Sequence, residues 1–256
     1  MKMPPSMFES GHGNSNKDKK REVYMKTKRC MEMLVAAAIV LASAMSVQAA
    51  MTWDAYTGFN SASNTTSDLW QYMRAAQGAN DGYWLLPVYG SLDGIGVSWH
   101  VQNNFPAVGA AEGEIRVHPE LPGTTSSAAV IGWKSPITGN VDVSFLVTDR
   151  NAGANGPGDW PLVPYDGVTY NLFRKGDVTA LSSGYVVNGY NSGTINVSNV
   201  AVSPGTMLYL QIGSAVDNHW YDLTGVNLTI TQVVPEPAAA MLLLAGCAAG
   251  LIRRRK

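Results

Sequence analysis

NVDVSFLVTD, residues 140–149, sets Val141, Val143, Phe145 and Val147 on one side of an extended chain and Asp142 and Ser144 on the other. A period of two marks a strand with one face buried and one face in water. Similar short segments flank it. EIRVHP (114–119) and SAAVIGW (127–133) precede it. GVTYNLFRKGD (167–177), GYVVNGY (184–190), GTINVSNVAV (193–202), TMLYLQIG (206–213) and LTGVNLTITQV (223–233) follow. Turn residues separate them, among them Ser135-Pro136, Gly139-Asn140, Lys175-Gly176-Asp177 and Ser203-Pro204-Gly205. Some eight short strands at this spacing predict an all-β, antiparallel sandwich. Trp99, Trp133, Phe145 and Tyr209 fall within the strand patterns and are expected in its core.

Closer to the N-terminus the pattern is less regular. WDAYTGF (53–59), GYWLLPVYG (82–90) and GIGVSWHVQ (94–102) read as strands, whereas TSDLWQYMRAAQG (66–78) fits a helical turn or a strand equally well. No linker interrupts residues 50–234, so they are read as one domain. DRNAGANGPGDWPLVPYDG (149–167) is too rich in Gly, Pro and Asn for a strand, and loops of this length are usually functional or mobile.

Both ends have the composition of processing segments. Lys26, Lys28 and Arg29 precede an apolar run from Met33 to Met45, and Val47-Gln48-Ala49 supplies small residues for a signal-peptidase site. Cleavage between Ala49 and Ala50 is expected, which makes residues 1–49 a leader containing a signal helix. Translation could begin at Met25. At the other end, Pro235-Glu236-Pro237 precedes an uncharged run, 238–252, and the basic tail 253–256. Fifteen helical residues rise about 22 Å against a hydrocarbon core of roughly 30 Å. Snorkelling arginines close the gap and keep that end cytoplasmic. The reading is a single transmembrane helix behind a Pro-Glu-Pro segment that cannot continue it.

Residues 50–234 contain fourteen acidic and six basic residues, a net charge of −8. An acidic domain without a basic cluster argues against nucleic acid, whose binding requires a basic footprint. The two cysteines, Cys30 and Cys247, both lie in the terminal segments, so stability of the domain rests on core burial rather than on a disulfide.

The tripartite tail of Pro235, Glu236, Pro237, the run 238–252 and Arg253 to Lys256 closely resembles the PEP-CTERM sorting signal of Gram-negative bacteria. The resemblance implies processing by an exosortase, a transient stay in the inner membrane, and delivery to the cell surface or into extracellular polysaccharide. The order LWQYM, SWHVQNNFPAVG, VHPELPG, AAVIGWKSPITGNVDV, YDGVTYNLFRKG, NVAVSPGTMLYLQIG, YDLTGVNLTI across 69–230 resembles PEP-CTERM ectodomains with a jelly-roll, carbohydrate-binding-module-like sandwich. Members of that class tend to have a basic residue before the Trp, where this chain has Gly132.

Candidate chemistry is sparse. Glu112 and Glu114, two apart on an expected strand, could form a glycosidase pair if they flanked one bond at about 5–9 Å, but exposed acids are common on sandwiches. His100, His118 and His219 have no zinc-ligand spacing. No serine elbow or phosphate loop occurs. Asp149, Asn151, Asp159 and Asp166 offer hard oxygen ligands for a structural calcium ion, with solvated loop polar groups as the alternative. No other cofactor is implied. Sugars present apolar CH faces and hydroxyl edges, which suits exposed Trp and Tyr beside polar groups. Trp160, Tyr165, Trp220 and Tyr221 are the candidate glycan contacts, with packing over the end of the sandwich the competing role. The expectation is a non-enzymatic surface or matrix protein with a structural or glycan-binding role. A secreted carbohydrate-active hydrolase is the alternative.

Overall fold

The structure, a computed structural model, describes residues 19–29, 49–92, 95–102, 104–120, 127–150, 167–187, 190–215 and 222–234. Two compact units divide the chain, one from Ala50 to Val233 and the other comprising both termini. In the terminal unit, residues 19–29 are helical and run into the basic segment Lys26, Lys28 and Arg29. No helix among the described residues is long and apolar enough to cross a membrane; the expected span at 238–252 and the apolar run 33–45 lie outside them. Ala49 and Ala50 are exposed and outside any helix or strand.

Every described strand falls in the Ala50–Val233 unit: β1 (Thr52–Asp54), β2 (Trp70–Ala75), β3 (Trp84–Leu85), β4 (Val88–Leu92), β5 (Gly96–Val101), β6 (Asn104–Ala111), β7 (Glu114–His118), β8 (Ala128–Lys134), β9 (Gly139–Asp149), β10 (Val168–Arg174), β11 (Ser182–Val186), β12 (Ile195–Val202), β13 (Met207–Ser214) and β14 (Thr224–Gln232). One sheet runs β12-β9-β14-β7-β6-β5-β4, with β1 added against β14; the other runs β11-β10-β13-β8-β2-β3. Each pairing is antiparallel. The chain changes sheet at each step from β7 to β10 and again from β11 to β14.

Strand β9 has the expected alternation: Val141, Val143, Phe145 and Val147 are buried while Asn140 and Asp142 are exposed. Val226, Leu228 and Ile230 of β14 join them from the same sheet. Trp70, Tyr72, Ile131, Trp133, Leu208, Leu210 and Ile212 come from the other, and together they form one interior cluster. Two sheets that bury a shared interior are a β-sandwich. Aromatic contacts knit the layers: Phe145 meets the edge of Tyr170 at 5.5 Å between ring centres, and Trp53 lies 5.1 Å from Trp133.

Two early segments differ from their sequence reading, and a third that was left open is settled. WDAYTGF contributes only the three residues of β1 before a turn. GYWLLPVYG is not one strand: β3 belongs to the six-stranded sheet and β4 to the eight-stranded one, with Leu86-Pro87 between them. Proline has no N–H for a sheet ladder, so the break falls where the chain loses a donor. The segment 66–78 resolves to strand, as β2.

Candidate functional site

Strands β8 and β13 are buried along both faces, unlike β9. Their inward residues fill the sandwich. Their outward residues, Val130, Met207 and Tyr209, form a second apolar cluster with Met73, Ala75, Ala128 and Phe173. Tyr209, expected in the core, is buried but on this outer face. A strap between β2 and β3 covers it. Gln77 Nε2 donates to the Ser214 carbonyl at 2.7 Å, the Gly78 N–H donates to Gln211 Oε1 at 3.2 Å, and Gln211 Nε2 donates to the Tyr83 hydroxyl at 2.9 Å and to the Ala79 carbonyl. The strap lays Tyr83 on Tyr209, ring centres 3.8 Å apart and planes 20° from parallel.

Beside this stack is a groove of about 590 Å³, within the usual range for small-ligand sites. Its apolar surface comes from Met73, Leu85 and Met207 with the two tyrosines. Gln71, Asn80, Asp81, Lys134 and Lys175 supply polar groups, and Gly176 and Gly205 lie in the turns beside it. Asn80 Oδ1 is buried and has no hydrogen-bond partner. Tyr83 donates its hydroxyl proton to the Ala79 carbonyl at 3.1 Å. Burial, with smaller contributions from Tyr209 and Asp81, pushes its phenol well above the ordinary range against the Gln211 hydrogen bond, so Tyr83 stays neutral.

Gly132 makes room for the methionine floor. It sits opposite both Gln71 and Tyr209. A Cβ there would drive into Met73 Cε and lie 3.2 Å from Met207 Cε. A basic side chain at this position, of the kind the resembling class tends to have, would occupy the space that the two methionine tips fill.

The other sequence candidates are placed as follows. Glu112 is not on a strand. It and Gly113 form the two-residue turn between β6 and β7, with φ of 54° and 85°, and Glu112 is exposed while Glu114 is buried. Two positive φ values in a row suit a tight hairpin, which explains why the Glu-Gly pair turns rather than extends. Neither carboxylate faces the groove. Arg116 pairs with Glu112 and lies 3.6 Å from Glu114. Arg150 Nε donates to Glu114 Oε1 at 2.9 Å and its Nη2 to Oε2, and this carboxylate holds the Arg150 guanidinium above its ordinary range.

Asp149 ends β9 and is buried opposite Thr224. Its proposed calcium partners Asn151, Asp159 and Asp166 lie outside the described residues, as do Trp160, Tyr165, Trp220 and Tyr221. No cluster of three His, Cys, Asp or Glu occurs among the described residues. The groove residues were not legible as a site. Tyr209 and Met207 read as ordinary strand residues, and only burial on both faces of β13 reveals a second covered surface.

Pro235, Glu236 and Pro237 also lie outside the described residues, but residues 233–256 match the PEP-CTERM protein-sorting motif. The chain carries a PEP-CTERM sorting signal. A PEP-CTERM motif implies export, C-terminal sorting and exosortase processing, as the resemblance of the tail led us to expect. No curated protein matches the chain. Among solved structures, the chain is similar to the K3 cleaved adhesin domain of Lys-gingipain from Porphyromonas gingivalis W83. The TM-score is 0.40 at 10% identity, over 72% of this chain and 98% of that one. It is also similar to the CBM36-1 domain of a multidomain xylanase from the hindgut metagenome of Trinervitermes trinervoides, with TM-score 0.29 and 8% identity over 65% and 99%. The GH26-CBM35 β-(1,4)-mannanase of Podospora anserina matches with TM-score 0.29 and 12% identity over 73% and 28%.

Proposed function

We propose that the PEP-CTERM chain is a surface or extracellular-matrix protein whose sandwich holds a glycan, without turnover, in the groove under the 76–83 strap. The leader is removed after Ala49. Residues 238–252 tether the precursor in the inner membrane until an exosortase acts at Pro235-Glu236-Pro237. The observation that carries the binding role is the groove itself: two stacked tyrosines and two methionines beside Gln71, Asn80 and Asp81. Apolar CH faces against aromatic rings and hydroxyls against polar side chains are what a sugar requires. Asp81 is the one carboxylate among the described lining residues. The Glu112 and Glu114 pair is engaged by arginines elsewhere.

Affinity electrophoresis of residues 50–234 through a polysaccharide panel, with and without calcium, tests this reading. That segment contains every described strand and both apolar clusters. Retardation by at least one glycan is expected. Tyr83→Ala should weaken it about tenfold, equivalent to about 1.4 kcal/mol, while Tyr83→Phe, which keeps the ring, should retain most of it. Retardation that survives Tyr83→Ala but is lost in Trp160→Ala or Trp220→Ala would move the site to the loops. Dependence on calcium would implicate Asp149 and the 151–166 segment. No retardation on any glycan would leave only a structural surface role.

A further inference from the structure

Two of the domain's three basic residues without an ion pair among the described residues lie at the groove. Of the six basic residues in 50–234, Arg116 and Arg150 are held at Glu114, and Arg174 is bound to Asp177 at 2.9 Å. Arg74, Lys134 and Lys175 make no ion pair among the described residues, and both lysines line the groove. Lys134 is positioned: its Nζ donates to the Thr66 carbonyl at 3.1 Å, which fixes the ammonium at the rim. The opposing charge there is Asp81, so the lining carries a small positive excess within a domain of net charge −8.

In such a domain the general field repels polyanions. At physiological salt, charges act over about 8 Å, so two lysines at one cavity still present a local positive site. We infer that the groove selects an acidic polysaccharide, with uronate carboxylates at Lys134 and Lys175 and a sugar face against the tyrosine stack. This rests on reading the groove as a glycan site. A polyanion without an apolar ring face would gain the lysines but lose the contacts with Tyr83 and Met73. A neutral glycan would leave both ammonium groups unpaired beside the ligand. The neutral phenol of Tyr83 adds no opposing charge there at alkaline pH.

The test is titration of residues 50–234 with polygalacturonate and alginate, with their carboxyl-reduced counterparts, and with polyglutamate. The expected result is binding of at least one uronate polymer, at least tenfold weaker binding of its reduced form, and little binding of polyglutamate. Lys134→Gln/Lys175→Gln should lose about tenfold on the uronate polymer and flatten its salt dependence. Thermal unfolding should change little in that variant, because Lys175 is exposed and half-buried Lys134 gives up one hydrogen bond at the rim. Equal binding of the reduced polymer, abolished by Tyr83→Ala, would overturn the acidic preference while leaving the groove as a glycan site. Binding of no glycan would overturn both. Polyglutamate binding as tight as the uronate polymer would overturn the requirement for a sugar face.

Discussion

Phe145→Ala should destabilise the sandwich by about 3–5 kcal/mol. Phe145 is 1% exposed at the middle of β9, between Ile195 of β12 and Leu228 of β14, with its ring against the edge of Tyr170 from the opposite sheet. Truncation removes the transfer free energy of a benzyl group and leaves a cavity that strands fixed on both sides cannot close. A domain of this kind has a total stability of about 5–15 kcal/mol, so the loss is a large fraction of it. The melting temperature should fall by about 10 °C, given about 2–4 °C per kcal/mol at this size. Ser144→Ala, one residue away on the opposite face, should stay within about 0.5 kcal/mol. Urea unfolding of residues 50–234 reads both, and equal losses would contradict the assignment of the two faces.

Gly225→Ala should cost about 2–4 kcal/mol, far more than a methyl group on an exposed sheet face. The Glu114 side chain lies across Gly225 of β14, and an added Cβ would sit 2.5 Å from Glu114 Cδ. The carboxylate has little freedom to retreat. It is buried, Arg150 binds both of its oxygens, and Arg116 stands beside it. Displacing it separates a buried charge from its partners, which is worse than never having placed it there. The cause is checked with Glu114→Ala/Gly225→Ala: the double variant should be less destabilised than the sum of its singles by 1 kcal/mol or more. Additive losses would mean that the glycine is required for another reason.

These two positions mark how far the sequence could be read. Phe145 was legible because β9 has one buried face, so its apolar residues fall at a period of two. The contact of the Glu114 side chain with Gly225 was not, since it joins β7 to β14 across more than a hundred residues with no local pattern. Strand β2 was ambiguous for a related reason. Trp70 and Tyr72 point into the sandwich, while on the other face Met73 joins the outer apolar cluster and Gln71 is bonded to the Thr66 and Asp68 carbonyls, so both faces are covered and the alternation disappears. Strand β6 was missed because NFPAVGAA contains a proline and small residues. Its outward face has to be small, since a Cβ at Gly109 would press on the Val97 carbonyl at 2.9 Å.

The candidate site divides the same way. The C-terminal address is local in sequence and was legible as motif, apolar run and basic tail. The groove is assembled from β2, β8, β13, the strap and two turns, and no single segment announces it. Aromatic residues in loops drew attention to Trp160 and Trp220, whereas Tyr83 sat in a run that read as plain strand.

In the proposed role, ligand binds over the methionine floor of that groove. Residues 50–234 contain three methionines, Met51, Met73 and Met207, of which only the last two line it. Methyl-labelled methionine spectra of this segment therefore give two reporters at the site and one control beside β1. On titration with a glycan that retards the protein, the Met73 and Met207 methyl signals should shift together and saturably while Met51 stays still. Binding that leaves both unmoved would contradict the account and place the ligand elsewhere on the sandwich.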